Sequence, residues 1–184
     1  MSPTKTIFAF ALLALAASGA SAEKADADKQ AVIDYDTMSV NQVTQITTLT
    51  GRVKVTKGTL VLNSDKAVIK ETPEGDMHVT LTSNAGKSST FRQKRDGGPD
   101  LWVEGQAQRI EYDDRASVVK LYDNAQLRQL EGVRATHEIK AEFVSYDSLK
   151  EVFEARNEAN SKGRGTLILA PRKPRPAAPA PGTP

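Results

Sequence analysis

Residues 49–70 read Leu49-Thr50-Gly51-Arg52-Val53-Lys54-Val55-Thr56-Lys57-Gly58-Thr59-Leu60-Val61-Leu62-Asn63-Ser64-Asp65-Lys66-Ala67-Val68-Ile69-Lys70. Val53 and Val55 alternate with Arg52, Lys54 and Thr56, the period-two pattern of a strand with one buried face. Lys57-Gly58 breaks the run, and glycine supplies the positive φ that a tight hairpin turn demands. Leu60 and Leu62 resume the apolar face. Asn63-Ser64-Asp65 reads as a second turn, and Ala67 and Ile69 open a third strand. The segment is a β-meander; no helical period fits it.

The pattern recurs on both sides. Ile33-Asp34-Tyr35-Asp36, Ile110-Glu111-Tyr112-Asp113 and Val144-Ser145-Tyr146-Asp147 share one order: apolar, polar, Tyr, Asp. Ala67-Val68-Ile69 is a degenerate copy. Positions 35, 69, 112 and 146 lie 34, 43 and 34 apart. A period near 34 also suits helix-turn-helix arrays, but those need 3.6-residue periodicity. Here the period inside each unit is two, so the repeat is a β-repeat. Each copy leads into an apolar strand and a turn signal, at Gly51, Asn84, Asp123-Asn124 and Asn157.

Residues 1–22 stand apart. Lys5, an apolar run from Ile7 to Ala17 and Ala20-Ser21-Ala22 form a signal peptide with an A-x-A cleavage site. A retained anchor is the alternative, but the run is short of the roughly 20 apolar residues that span a bilayer. The expected mature chain begins at Glu23 and is exported. Residues 23–30, charged and alanine-rich, read as a flexible leader. The β-domain is expected over 31–170, with Val43, Ile46, Leu49, Val53 and Val55 on its second pair of strands. Residues 147–160 also admit a helical reading; Val152 and Glu154 favour strand. Six of the nine prolines fall in 171–184, with Arg172, Lys173 and Arg175, so this segment reads as a disordered basic tail.

The chain has 25 basic and 23 acidic side chains, and without Lys5 the balance is 24 to 23. Such a balance does not describe a nucleic-acid binder. Cysteine is absent, so an exported domain must hold together by its core alone. No catalytic constellation emerges, and the expectation is a protein that is neither an enzyme nor dependent on a cofactor. His78 and His137 stand alone, without the ligand spacing of a zinc site. Asp36, Asp113 and Asp147 invite comparison with glycosidase carboxylate pairs. A repeat, however, sets equivalent residues on successive rungs rather than around one point. Trp102 with Tyr112 is a thin hint of sugar binding.

Several motifs together resemble the OstA-like family of periplasmic lipopolysaccharide-transport proteins. They are Thr50-Gly51-Arg52-Val53-Lys54-Val55, Asn63-Ser64-Asp65-Lys66-Ala67, Gly86-Lys87-Ser88-Ser89-Thr90-Phe91, Val103-Glu104-Gly105-Gln106-Ala107, Val118-Val119-Lys120-Leu121 and Asn124-Ala125-Gln126-Leu127. The resemblance runs in order from about Ala31 to Ala170. It implies an all-β fold, an open twisted β-jellyroll of two facing antiparallel sheets, whose apolar groove receives the acyl chains of lipid A. The residues expected to line that groove are Ile33, Tyr35, Val53, Val55, Leu60, Leu62, Ile69, Phe91, Ile110, Tyr112, Val119, Leu121, Val144 and Tyr146. Ile33, Phe91 and Tyr112 match lipid-facing family positions, whereas Asp114 stands where the family pattern is apolar. The resemblance further implies an inner-membrane-anchored jellyroll partner, an outer-membrane translocon, and head-to-tail self-association through strands 31–35 and 166–170. A non-bridging lipid- or carbohydrate-binding module of the same fold is the alternative.

Overall fold

The computed structural model describes residues 22–157 and 163–171. These form one short helix, α1 (Ala22–Ala27), and twelve strands. The strands are β1 (Ala31–Asp34), β2 (Thr37–Asn41), β3 (Ile46–Lys57), β4 (Leu60–Glu71), β5 (Met77–Thr82) and β6 (Ser89–Lys94), followed by β7 (Leu101–Ala107), β8 (Arg109–Asp113), β9 (Val118–Glu131), β10 (Arg134–Asp147), β11 (Val152–Arg156) and β12 (Thr166–Leu169). All pairings between them are antiparallel.

Residues 49–70 belong to two long strands, not three short ones. Asn63-Ser64-Asp65 is no turn: β4 runs through it, exchanging β6 as neighbour (Val61 to Asn63) for β5 (Lys66 to Glu71). β3 does the same at Gly51 and Arg52, both at positive φ, with a register shift between Thr50 and Val53. Asp123-Asn124, expected as a turn, lies inside β9 with φ of 63° and 56° and marks its passage from β8 to β7. β10 shifts register between Ala141 and Phe143. Gly, Asn and Asp tolerate the left-handed region, which serves a bulge as well as a hairpin. A bulge keeps the strand going and re-aims it.

Folded along these four bends, the twelve-stranded sheet becomes two facing sheets. One has the order β1-β3-β4-β6-β7-β9-β10-β12, the other β2-β3-β4-β5-β8-β9-β10-β11. The bends form a closed spine, and the hairpin turns at the opposite strand ends form a mouth. This is the expected open jellyroll. The chain enters at the edge made by β1 and β2 and leaves at the edge made by β11 and β12.

Four expectations need correction. Val43 is not on a strand but 94% exposed, in the β2–β3 turn where the Asn41 side chain accepts the Val43 and Thr44 amides. Tyr35 is 41% exposed. β1 runs from mouth to spine, so its Tyr-Asp pair falls on the corner before β2, whereas β8 runs from spine to mouth and keeps Tyr112 inside. Residues 23–30 are not wholly a free leader, because α1 is fastened by Asp26. Lys57 does not end the apolar face: it is the next rung after Val53 and Val55, and is itself buried. Apart from Ala22 and Pro171, the expected signal peptide and tail lie outside the described residues.

Candidate functional site

The space between the sheets is lined mainly by apolar side chains. Val53, Val55, Leu60, Leu62 and Phe91 project from one sheet; Ile69, Ile110, Tyr112, Val119, Leu121, Val144 and Tyr146 project from the other. They form one cluster, with Ile33 packed against it and partly buried. Thus thirteen of the fourteen expected groove residues meet, and Tyr35 does not. Period-two alternation places them there, because every second side chain of a strand faces the same side. Leu49, Ala67, Val79, Leu81, Val103, Ala107, Ala125 and Leu127 complete the buried cluster. Val103 was legible from Trp102-Val103-Glu104; Ala107 and Ala125 carry too little hydrophobic signal to stand out.

The cluster is packed by its own side chains, with most members no more than 2% exposed. Phe91 lies over Gly105, where an added Cβ would come 2.4 Å from the Phe91 Cε1. Near the C-terminal edge, Tyr146 and Phe153 stack with ring centroids 4.4 Å apart. A surface hollow of about 360 Å³ lies over Arg92, Glu104, Gln126 and Arg128 on the outer face, with Val61, Phe91 and Gly105 in its lining.

Polar groups gather at the mouth. The Lys57 ammonium reaches across from one sheet to the Asp114 carboxylate of the other at 2.5 Å, both side chains nearly buried. The Tyr112 hydroxyl donates to the same Asp114 oxygen at 3.0 Å. Burial, reinforced by Asp114, raises the Tyr112 phenol far above its ordinary value, so it stays a neutral donor. A second contact across the mouth joins Arg95 to Glu151 at 3.5 Å.

The repeated aspartates do not converge. Asp36 pairs with Arg52, Asp113 lies 3.6 Å from His78, and Asp147 bonds Lys150 at 2.7 Å. Asp113 and Asp147 each cap their own turn by accepting the Ala116 and Lys150 amides. Trp102 and Tyr112 sit on opposite faces: Trp102 lies outside beneath the Arg92 guanidinium, 4.5 Å from its ring centre, and Tyr112 lies inside. Neither set makes a site.

The site is therefore an apolar interior bounded by a bent spine, a polar mouth and two terminal strand edges. Residues 32–152 match the family model described as LptA/(LptD N-terminal domain) LPS transport protein. The chain belongs to this family. It is 30% identical over 165 residues to the lipopolysaccharide export system protein LptA of Haemophilus influenzae, covering 90% of this chain and 91% of that one. To the protein of the same name from Escherichia coli it is 32% identical, covering 90% and 83%. The crystal structure of LptH from Pseudomonas aeruginosa, the LptA homologous periplasmic component of a lipopolysaccharide transport device, shares the fold. It matches at a TM-score of 0.69 and 19% identity, over 79% of this chain and 99% of that one. The LptA-family fold thus accounts for the jellyroll.

Proposed function

We propose that this chain is a periplasmic lipopolysaccharide-binding bridge. It holds lipid A acyl chains between its two sheets and passes them from inner-membrane machinery to an outer-membrane translocon. Family membership supports the role, and the observation that carries it is the apolar interior running from one terminal strand edge to the other. Burying an acyl chain is worth about 0.8 kcal/mol per CH₂, so a twelve-carbon chain brings on the order of 10 kcal/mol. A continuous apolar path lowers that barrier to crossing water with no covalent chemistry.

The edges support end-to-end assembly. Among the described residues β1 pairs only with β3, and β12 only with β10. Among the described residues, ten of the eleven exposed large apolar side chains lie on the two edge strand pairs or their adjoining turns: Val32, Tyr35, Met38, Val40 and Val43 at one, and Leu149, Val152, Leu167, Ile168 and Leu169 at the other. Direction matches too. β12 runs from spine to mouth and β1 from mouth to spine; β11 and β2 run the opposite ways. A second copy stacked with its spine aligned therefore continues both sheets antiparallel. The contact is heterologous and does not close into a ring. Related jellyrolls on the membrane partners fit the same edges.

Photo-reactive side chains at Ile33, Phe91 and Tyr112 are expected to capture lipopolysaccharide, and those at Lys54 and Glu111, on the outer face, are not. Equal capture from both faces, or none from either, rules the interior path out.

A further inference from the structure

The mouth is the seam opposite the bends, and in this chain an ion pair closes it. Lys57 is the last inward-facing rung of β3, on one sheet; Asp114 follows β8, on the other. Their 2.5 Å contact spans the gap, with the two side chains only 8% and 12% exposed. Nothing in the ladder of either sheet requires this bond. The Asp114 amide is already engaged with the Met77 carbonyl, so the turn is fixed and its carboxylate is free to reach across.

Helix α1 lies beside this contact. The Asp26 carboxylate accepts the Thr59 amide at 2.8 Å, the Thr59 hydroxyl at 2.6 Å and the Gln93 side-chain amide at 3.1 Å. Asp26 is 5% exposed, and it stands where a Cβ on Gly58 would fall, 2.0 Å away. Gly58 thus does two things: it makes the β3–β4 turn at positive φ and leaves the helix room to dock. One short polar side chain pins an otherwise charged, alanine-rich helix to the lip of the mouth.

A buried ion pair is a poor source of net stability, because desolvating both charges offsets most of their attraction. It is strongly directional, however, and breaking it exposes two charges that water then welcomes. That makes it suited to a contact with two states. The geometry points to a latch: Lys57, Asp114 and Tyr112, with α1 pinned by Asp26 alongside, hold the two sheets shut at the mouth, and an acyl chain enters the interior only when the Lys57–Asp114 contact opens. The spine bends act as the hinge, and Arg95–Glu151 is the second contact across the same seam. The acyl-chain part of this inference rests on the lipid-binding reading above; the latch itself does not.

The chain has no cysteine, so paired thiols report cleanly. Spin labels at Pro99→Cys and Ala116→Cys, on loops of opposite sheets, measure the width of the mouth. Asp114→Asn should shift their distance distribution to longer values, with circular dichroism unchanged, and the charge swap Lys57→Asp/Asp114→Lys should bring it back. An unchanged distribution in Asp114→Asn, or a swap that stays wide, overturns the latch. In a separate chain, Arg95→Cys/Glu151→Cys joined by a short bifunctional thiol reagent should lose capture of lipopolysaccharide by a photo-reactive side chain at Phe91. The same chain before cross-linking should retain it. This arm alters neither Lys57 nor Asp114, so it stands even where Asp114→Asn does not fold. Equal capture before and after cross-linking overturns the latch and leaves the lipid-binding reading intact. No capture in either form overturns lipid binding, and the label distances then decide the latch alone.

Discussion

Gly105→Ala tests the packing between the sheets most directly. Gly105 is on β7, flanked by inward-facing Val103 and Ala107. An added methyl would lie 2.4 Å from Phe91 Cε1, 2.8 Å from Leu121 Cδ2 and 3.0 Å from the Gln126 carbonyl oxygen. The carbonyl belongs to the neighbouring strand and cannot yield. Phe91 and Leu121 are each no more than 1% exposed, so neither can swing into solvent. Overpacking of this kind costs about 1–3 kcal/mol. In a domain of this size each kcal/mol moves Tm by about 2–4 °C, so the expected loss is roughly 2–12 °C. Phe91→Leu removes the ring that makes the tightest contact. The double variant should therefore be less destabilised than the sum of the singles, by a coupling of about 0.5–3 kcal/mol. Thermal and urea unfolding followed by circular dichroism gives all four corners of the cycle. A Gly105→Ala variant within about 0.5 kcal/mol of the parent, or a strictly additive pair, refutes the reasoning.

Three further outcomes are expected. The Asp65 carboxyl is held below its ordinary value of 3.8, first by the Asn84 amide and then by Lys87. Its contribution to stability is present above that ordinary value and fades as pH falls through the lowered folded value. Asp65→Asn should thus unfold more easily than the parent at neutral pH and converge with it in strong acid; a constant gap in urea midpoint across that range would contradict this. At the C-terminal edge the Ala170 amide bonds Thr136 on β10, so by alternation Ile168 also faces β10, while the Leu167 and Leu169 amides face outward. Leu167→Pro should abolish concentration-dependent stacking in light scattering and spare the circular dichroism spectrum; unchanged stacking would argue against the edge. Intact-mass measurement of periplasmic protein should give a chain beginning at Glu23, and a chain retaining Met1 in the membrane fraction would not fit a freely diffusing bridge component.

The sequence disclosed the faces of the strands better than their ends. Alternation at Val53-x-Val55, Leu60-x-Leu62 and Ile110-x-Tyr112 assigned inward positions correctly, since burial acts residue by residue with a fixed period. It did not say where a strand stops. Asn63-Ser64-Asp65 and Asp123-Asn124 have the composition of turns, yet the chain continues through both, because the neighbour each strand acquires beyond the bend is distant in sequence. Tyr35 misled in a similar way: its motif has the same order as that of Tyr112, but its strand runs the other way. Lys57 was legible by period and masked by its charge, as its partner Asp114 lies 57 residues away. Asp26 gave no local signal, since its value depends on Thr59 and Gln93 coming together.

β3, β4, β9 and β10 each begin in one sheet and end in the other. Neither sheet can be melted or removed by itself, because half of every such strand would be left holding its place across the bend. The two sheets are therefore one cooperative unit despite facing each other across a separable seam. A probe on β5 and a probe on β7 should report the same unfolding midpoint, even when the destabilising change lies wholly on the other side. The seam can widen only by rotation about the spine, not by sliding along it. Whatever passes through the interior thus travels along a path whose two walls keep their register.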